Sequence, residues 1–272
     1  MDKSSFGGVV LALGGILLGL VLEGGSMRQI LQPTAAMIVF GGTIGAVMLQ
    51  FPLQTVLSAV KQLARVFFGK EPDGGALVTQ LVGFANKARR SGIVSLDRDL
   101  DTVDDPFLKE ALMLAVDGTE PSELRKIMQL ELDNQGDVDD RIPQVFESAG
   151  GFSPTIGIIG AVLGLIQVMQ HLADINEVGR GIAVAFVATI YGVGSANIFF
   201  LPASGKLRIR YREVQRQKEM MLEGVIAIME GMNPRMVELK LKTFLAEQQP
   251  ESETAKKPAI EKTAKTAKPV KA

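Results

Sequence analysis

The sequence predicts an all-α membrane protein: four transmembrane helices in two hairpins, with a helical cytoplasmic subdomain. Three observations carry the prediction. Four stretches, Phe6 to Leu22, Ala35 to Phe51, Ile156 to Leu172 and Gly181 to Leu201, contain no Asp, Glu, Lys or Arg. At 1.5 Å rise per residue, even the shortest gives about 25 Å of helix, at the short end of what crosses a bilayer. The basic residues are also segregated. The short segments 23–34 and 173–180 hold only Arg28 and Arg180, whereas 52–153 holds eleven Lys/Arg and 203–272 holds fifteen. By the positive-inside rule both termini, the central segment and the tail are cytoplasmic. Finally, the segments outside the spans repeat apolar residues at helical spacing.

The first span is expected to be retained. Its apolar run is longer than a signal-peptide core, and Glu23-Gly24-Gly25 follows where a small-x-small cleavage site would stand. Residues 1–51 are then two transmembrane helices and a short periplasmic loop. Residues 52–153 form the helical subdomain. Ala76, Leu77, Leu81, Phe84, Ala85 and Ala88 make an i, i+4 stripe. Pro106-Phe107 opens a second helix there and Pro121-Ser122-Glu123 a third. Residues 154–202 hold spans three and four. Residues 203–247 read as a long amphipathic helix interrupted by Gly231-Met232-Asn233-Pro234. The Lys-rich stretch 248–272 has too few large apolar residues to order itself.

Composition narrows the function. Lys+Arg (29) and Asp+Glu (30) nearly cancel, which argues against a nucleic-acid partner. With no cysteine there is no disulfide, thiolate zinc site or cysteine nucleophile, and a single histidine, His171, makes no multi-histidine metal site. Phosphate-binding loops, dinucleotide fingerprints and nucleophile elbows are missing, so no enzyme and no cofactor are expected.

Two patterns remain within the spans. Each span carries one small-xxx-small pair: Gly15/Gly19, Gly41/Gly45, Gly160/Gly164 and Gly192/Ala196. Such pairs let backbones approach closely and favour a tight bundle or oligomer. Thr189, Gly192 and Ala196 share one face of span four, and Thr155 follows Pro154 at the mouth of span three. They read either as hydroxyls bonded to their own backbone or as a weakly polar wall beside an ion path. Ion transport generally needs an intramembrane ionisable group. The spans contain no carboxylate, so the chain either does not conduct or borrows one from a partner helix.

GFSPTIGIIGAVLGL at 151–165, AVAFVATIYGVGSANIFFLP at 183–202 and Asn233-Pro234-Arg235 together resemble the MotA/PomA family, including its MotC-like branch, across residues 1 to about 246. That resemblance implies a flagellar motor stator subunit of the bacterial inner membrane. It implies a homopentamer around two helices of a MotB/PomB-type peptidoglycan-binding subunit, whose aspartate carries the transported ion. It implies torque delivered to the rotor switch protein FliG. Pro154, Thr155, Phe186, Thr189 and Pro202 match ion-path positions of the family. Arg89, Arg90, Asp97, Arg98 and Asp99, within KARRSGIVSLDRD at 87–99, match its charged rotor-contacting segment. Thr155 stands where sodium-type members often carry Thr, yet the MotC-like branch carries it with protons, and protons are favoured. The alternatives are an ExbB/TolQ-like energiser of a periplasm-spanning transporter and a passive membrane scaffold.

Overall fold

The computed structural model describes residues 3–68 and 73–246, and every element among them is helical. The Lys-rich tail expected at 248–272 lies outside the described residues. In chain order the elements are α1 (Lys3–Leu22), α2 (Pro33–Gln50), α3 (Leu53–Phe68), α4 (Gly74–Ser91), a 3₁₀ segment (Ile93–Thr102), α5 (Pro106–Val116), α6 (Pro121–Gln170), α7 (Ile175–Met229) and α8 (Pro234–Ala246). A single helical turn, Met27–Ile30, precedes α2. Four helices are long and apolar enough to cross a membrane, and they hold the four charge-free stretches except Phe51, His171 and Leu172, which lie just past helix ends.

Local chemistry sets the boundaries. Asp73 caps α4 by accepting from the amides of Gly75 and Ala76 at 3.0 and 3.2 Å. Asp105 does the same for α5, with Pro106 at the first helical position, and Asp174 starts α7. Gly92 and Gly231 end helices at φ 79° and 69°, values that a side chain strongly disfavours.

The prolines do not all act as stops. Pro143 and Pro154 lie inside α6, a helix of 50 residues. Pro202 lies inside α7, of 55 residues, directly after a π-helical turn at Ala196–Phe200. A π turn shifts the hydrogen-bond register, which accommodates a residue without an amide donor. The expected boundaries at 153/154 and 202/203 therefore fall within continuous helices. At 1.5 Å per residue, α6 and α7 are rods about 75 and 80 Å long.

These rods join three cores. At one end, the crown packs Leu81 and Phe84 of α4, Leu96 and Leu100 of the 3₁₀ segment, Phe107 and Leu112 of α5, Leu124 and Met128 of α6, Met220 and Val225 of α7, and Val237 and Leu241 of α8. The segments expected as 52–153 and 203–247 thus share one core. A second cluster joins Val47, Ala59, Ile142, Val145, Phe146, Ala149 and Leu207. A third, within the spans, joins Ala35 and Val39 to Val187 and Ala188.

Between crown and second cluster lies a polar waist. From 133 to 141 on α6 and 208 to 219 on α7, no described residue is buried. The waist holds a half-open niche of about 20 Å³, room for about one water, lined by Gln135, Asp139, Asp140, Arg212 and Lys218 among others. Gly136 sits at its level and Pro143 just beyond it, so the thinnest packing coincides with the weakest helix formers.

Candidate functional site

The membrane hairpin is built on a seam of small residues. Ser153, Gly157, Gly160 and Gly164 of α6 face Gly181, Ala185, Ala188 and Gly192 of α7. A Cβ on Gly192 would lie 2.6 Å from the Ser153 carbonyl oxygen, and one on Gly164 would lie 2.8 Å from that of Gly181. Backbones this close gain dispersion over the whole seam. Two expected small-residue pairs therefore touch it: Gly160/Gly164 lies in it, and Gly192 of Gly192/Ala196 faces it. Around Gly15, Gly19, Gly41 and Gly45, by contrast, nothing lies within 4 Å of where a Cβ would stand.

The crown end of the seam is closed by a hydrogen bond between the Ser153 and Ser195 hydroxyls at 2.7 Å, with Ser153 fully buried. Sequence reasoning missed this pair; its signal was a hydroxyl at the end of each glycine series. On another face of α7, the Tyr191 hydroxyl donates to the Ile30 carbonyl at 2.6 Å and accepts from the Gln32 amide at 3.3 Å. That ties α7 to the loop before α2.

With one α7 face in the seam and another on α2, a third is left open: Ile182, Phe186, Ile190 and Val193, with Thr189 half-buried among them. Phe186 is 70% exposed. On α6, Thr155, Ile158, Ile159, Val162 and Ile166 are exposed. Thr155 and Thr189 thus both sit on this hairpin. The seam register puts Thr155 level with Gly192, roughly 5 Å in depth from Thr189. Both hydroxyls bond to their own helix: Thr155 donates to the Phe152 carbonyl at 2.7 Å, and Thr189 to that of Ala185 at 3.2 Å. Pro154 lies beside Thr155, half-buried. Pro202 is set apart, about two turns nearer the crown, where it lines a cleft against α1. His171 ends α6, its Nδ1 3.0 Å from the Gln167 carbonyl oxygen.

The charged segment lies on the crown. Arg89 and Arg90 occupy the last turn of α4, where cations suit the helix dipole. Gly92 turns the chain into the 3₁₀ segment, whose Leu96 and Leu100 are anchored in the crown core. Arg89, Arg90, Asp97 and Arg98 stay exposed and form no ion pair among the described residues. Asp99 differs: it pairs with Lys87 at 2.7 Å and fastens the segment to α4. Beneath, Glu223 of α7 joins Arg125 of α6 and Lys240 of α8. The Arg125 hydrogen bond, aided by Lys240, holds the Glu223 carboxyl below its ordinary range against the opposing effect of burial. Glu131, shielded from solvent and near Glu110, is pushed up.

Comparison with known proteins fits this geometry. Residues 99–220 match the MotA/TolQ/ExbB proton channel family, and residues 6–92 match the motility protein A N-terminal family. Motility protein A of Bacillus subtilis is 36% identical over 247 residues, covering 90% of this chain and 91% of that one. The chain belongs to the motility protein A family. Two solved family structures share its fold. The C. jejuni MotAB structure superposes with a TM-score of 0.87 at 31% identity, covering 92% of this chain and 98% of that one. The flagellar MotAB stator complex from Bacillus subtilis gives 0.83 at 35%, covering 91% and 98%. The motility-specific match runs over α1 to α4, ahead of the part that the broader channel-family match covers. It favours the stator reading over the ExbB/TolQ-like one.

Proposed function

We propose that this chain is the membrane-ring subunit of a flagellar stator, and that it turns inward proton flow into torque on the rotor. The observation that carries the reading is the uninterrupted course of α6 and α7 from the open wall of Thr155, Phe186 and Thr189 to the crown core. A shift at the wall is delivered to the crown through two rods. In this reading both termini are cytoplasmic and the chain assembles as a pentamer. The open wall faces the helices of a MotB/PomB-type subunit, which supplies the carboxylate that these spans lack. Phe186 narrows the path against water. Pro154 and Thr155 mark the cytoplasmic exit. Pro202 relays the change in the helix beyond it. Protons suit the wall better than sodium, because Thr155 and Thr189 stand apart in depth and two hydroxyls do not make the cage of oxygen ligands that sodium needs.

The exposed charges Arg89, Arg90, Asp97 and Arg98 form the contact with FliG, and Asp99 positions them by holding the segment down. Charges at a moving contact steer and re-register the partner with little desolvation cost. The test is charge reversal. Arg89→Asp and Asp97→Arg should each reduce torque in a bead-rotation assay while the complex still assembles. Full torque from the double reversal R89D/D97R would remove this segment from the rotor interface.

A further inference from the structure

We propose that the cleft between the start of α2 and the outer end of the α6–α7 hairpin is a water-filled vestibule that leads the outer aqueous phase into the membrane. The cleft holds about 610 Å³, room for roughly twenty waters. Its mouth carries the ion pair of Glu177 and Arg180, 3.1 Å apart on α7. Its walls include Met37 of α2, Leu163 of α6 and Val184 of α7. From Glu177 to Val184 it descends about 10 Å, a third of a hydrocarbon core of roughly 30 Å.

Two observations identify the occupant as water. One is irregular backbone at membrane depth. Tyr191 stands midway along the charge-free stretch Gly181 to Leu201, and its hydroxyl holds the turn at 30–32, donating to the Ile30 carbonyl at 2.6 Å and accepting from the Gln32 amide at 3.3 Å. Leu31 in that turn and Pro33 after it are exposed. Non-helical backbone at this depth persists only where protein covers it or water reaches it, and this chain leaves Leu31 and Pro33 bare. The other is a pair of polar side chains. Gln167 of α6 and Thr34 of α2 line the cleft, both exposed, and neither side chain forms a hydrogen bond among the described residues. An amide that faces lipid tails without a partner is costly, and one that faces water is not. The Glu177–Arg180 pair leaves the mouth without net charge, so no charged headgroup is selected there.

The vestibule and the open wall lie on opposite sides of α7, since Val184 stands about 200° around the helix from Phe186. Water thus comes within one helix diameter, about 10 Å, of the wall, and the membrane potential falls over the shorter dry length that remains beside Thr189. The inference rests on the orientation given under the proposed function, with 23–34 and 173–180 outermost, and not on torque.

The chain has no cysteine, so single cysteines in the complex with its partner report water directly. Met37→Cys and Leu163→Cys replace exposed side chains, so the fold is not at stake. Right-side-out membrane vesicles are treated with a membrane-impermeant, charged methanethiosulfonate. Asn176→Cys, just past the outer turn, is the reference. Ile16→Cys is the dry control, on a stretch of α1 with no buried residue and about 9 Å in from Leu22. Both cleft cysteines should react within about tenfold of the reference, the effect of one pKa unit. Ile16→Cys should react at least about a hundredfold more slowly, because apolar surroundings raise a thiol's pKa by about two and the thiolate is the reacting form. Cleft cysteines as slow as Ile16→Cys, with Asn176→Cys fast, mean that lipid or a second copy of the chain fills the cleft; that overturns the proposal and leaves the orientation standing. Labelling of Asn176→Cys only in inside-out vesicles overturns the orientation and the proposal together.

Discussion

Alanine at Gly192 tests the seam most sharply. Its Cβ would sit 2.6 Å from the Ser153 carbonyl oxygen and 3.0 Å from the Gly157 Cα, where ordinary contact begins at 3.4 Å. The obstacles are backbone atoms, so no rotamer change relieves them. The helices must part by about 0.8 Å, and a gap of that size forfeits a quarter to a half of each seam contact. Overpacking of this kind costs about 1–3 kcal/mol, against a gain of about 1 kcal/mol from replacing a helical glycine by alanine. Gly205 on the same helix, with nothing within 4 Å of its Cβ position, collects only the gain. The net cost is about 1 kcal/mol, so thermal unfolding of the purified complex should show Gly192→Ala melting about 2–4 °C below the natural protein. Gly205→Ala should melt at or above it. Opening the seam also moves the wall residues, so rotation should slow in Gly192→Ala. A Gly192→Ala complex that melts and rotates like the natural protein would refute the close-packed hairpin.

Further outcomes follow from the crown and the waist. Glu223 is held below its ordinary range, so the stability it gives is present above the unfolded value of 4.5 and lost as pH falls through the lower folded value. Glu223→Gln should lower the melting temperature at pH 7 and matter less near pH 3. Glu131 has the opposite sign: its contribution is present below 4.5 and lost as pH rises through the raised folded value. Glu131→Gln should therefore raise the melting temperature at pH 7 and change little near pH 4. In Gly136→Ala the new Cβ lies 3.5 Å from Gln215, an ordinary contact. The substitution should stiffen the waist by about 1 kcal/mol, read as slower amide exchange at 133–141. Thr155→Ala should leave rotation insensitive to replacing sodium with potassium, as in the natural protein. Sodium-dependent speed in the natural protein would instead make Thr155 and Thr189 ligands.

How far the fold was legible depends on what a residue must do locally. The four spans could be read because a charge in lipid is expensive, so its absence over 17 residues stands out. The break at Gly231 to Pro234 could be read because glycine and proline act within a turn of themselves. The prolines at 154 and 202 show the limit. Alone each reads as a helix end, but packing across the seam and a π turn carry the helices through. The shared core of α4, α5, α7 and α8 was hidden because Met220 and Val225 meet Leu81 and Phe107 only through tertiary contact. The wall threonines were legible as residues, though not which acceptor each hydroxyl would choose. In the charged segment, the partner of Asp99 is Lys87, twelve residues away across a turn, and no helical spacing signals that pairing. The waist left only a negative trace, a run of polar residues on two helices that otherwise bury a stripe.

The measurement that tests the central claim most directly is bead rotation in cells whose only stator is this chain with its single-span partner. The account predicts that expression restarts rotation in discrete steps of speed, each step one stator joining the rotor. It predicts that collapsing the proton gradient stops rotation while the complex stays in the membrane. A motor that stays still with the complex assembled around it, or that turns at full speed without the proton gradient, would contradict it.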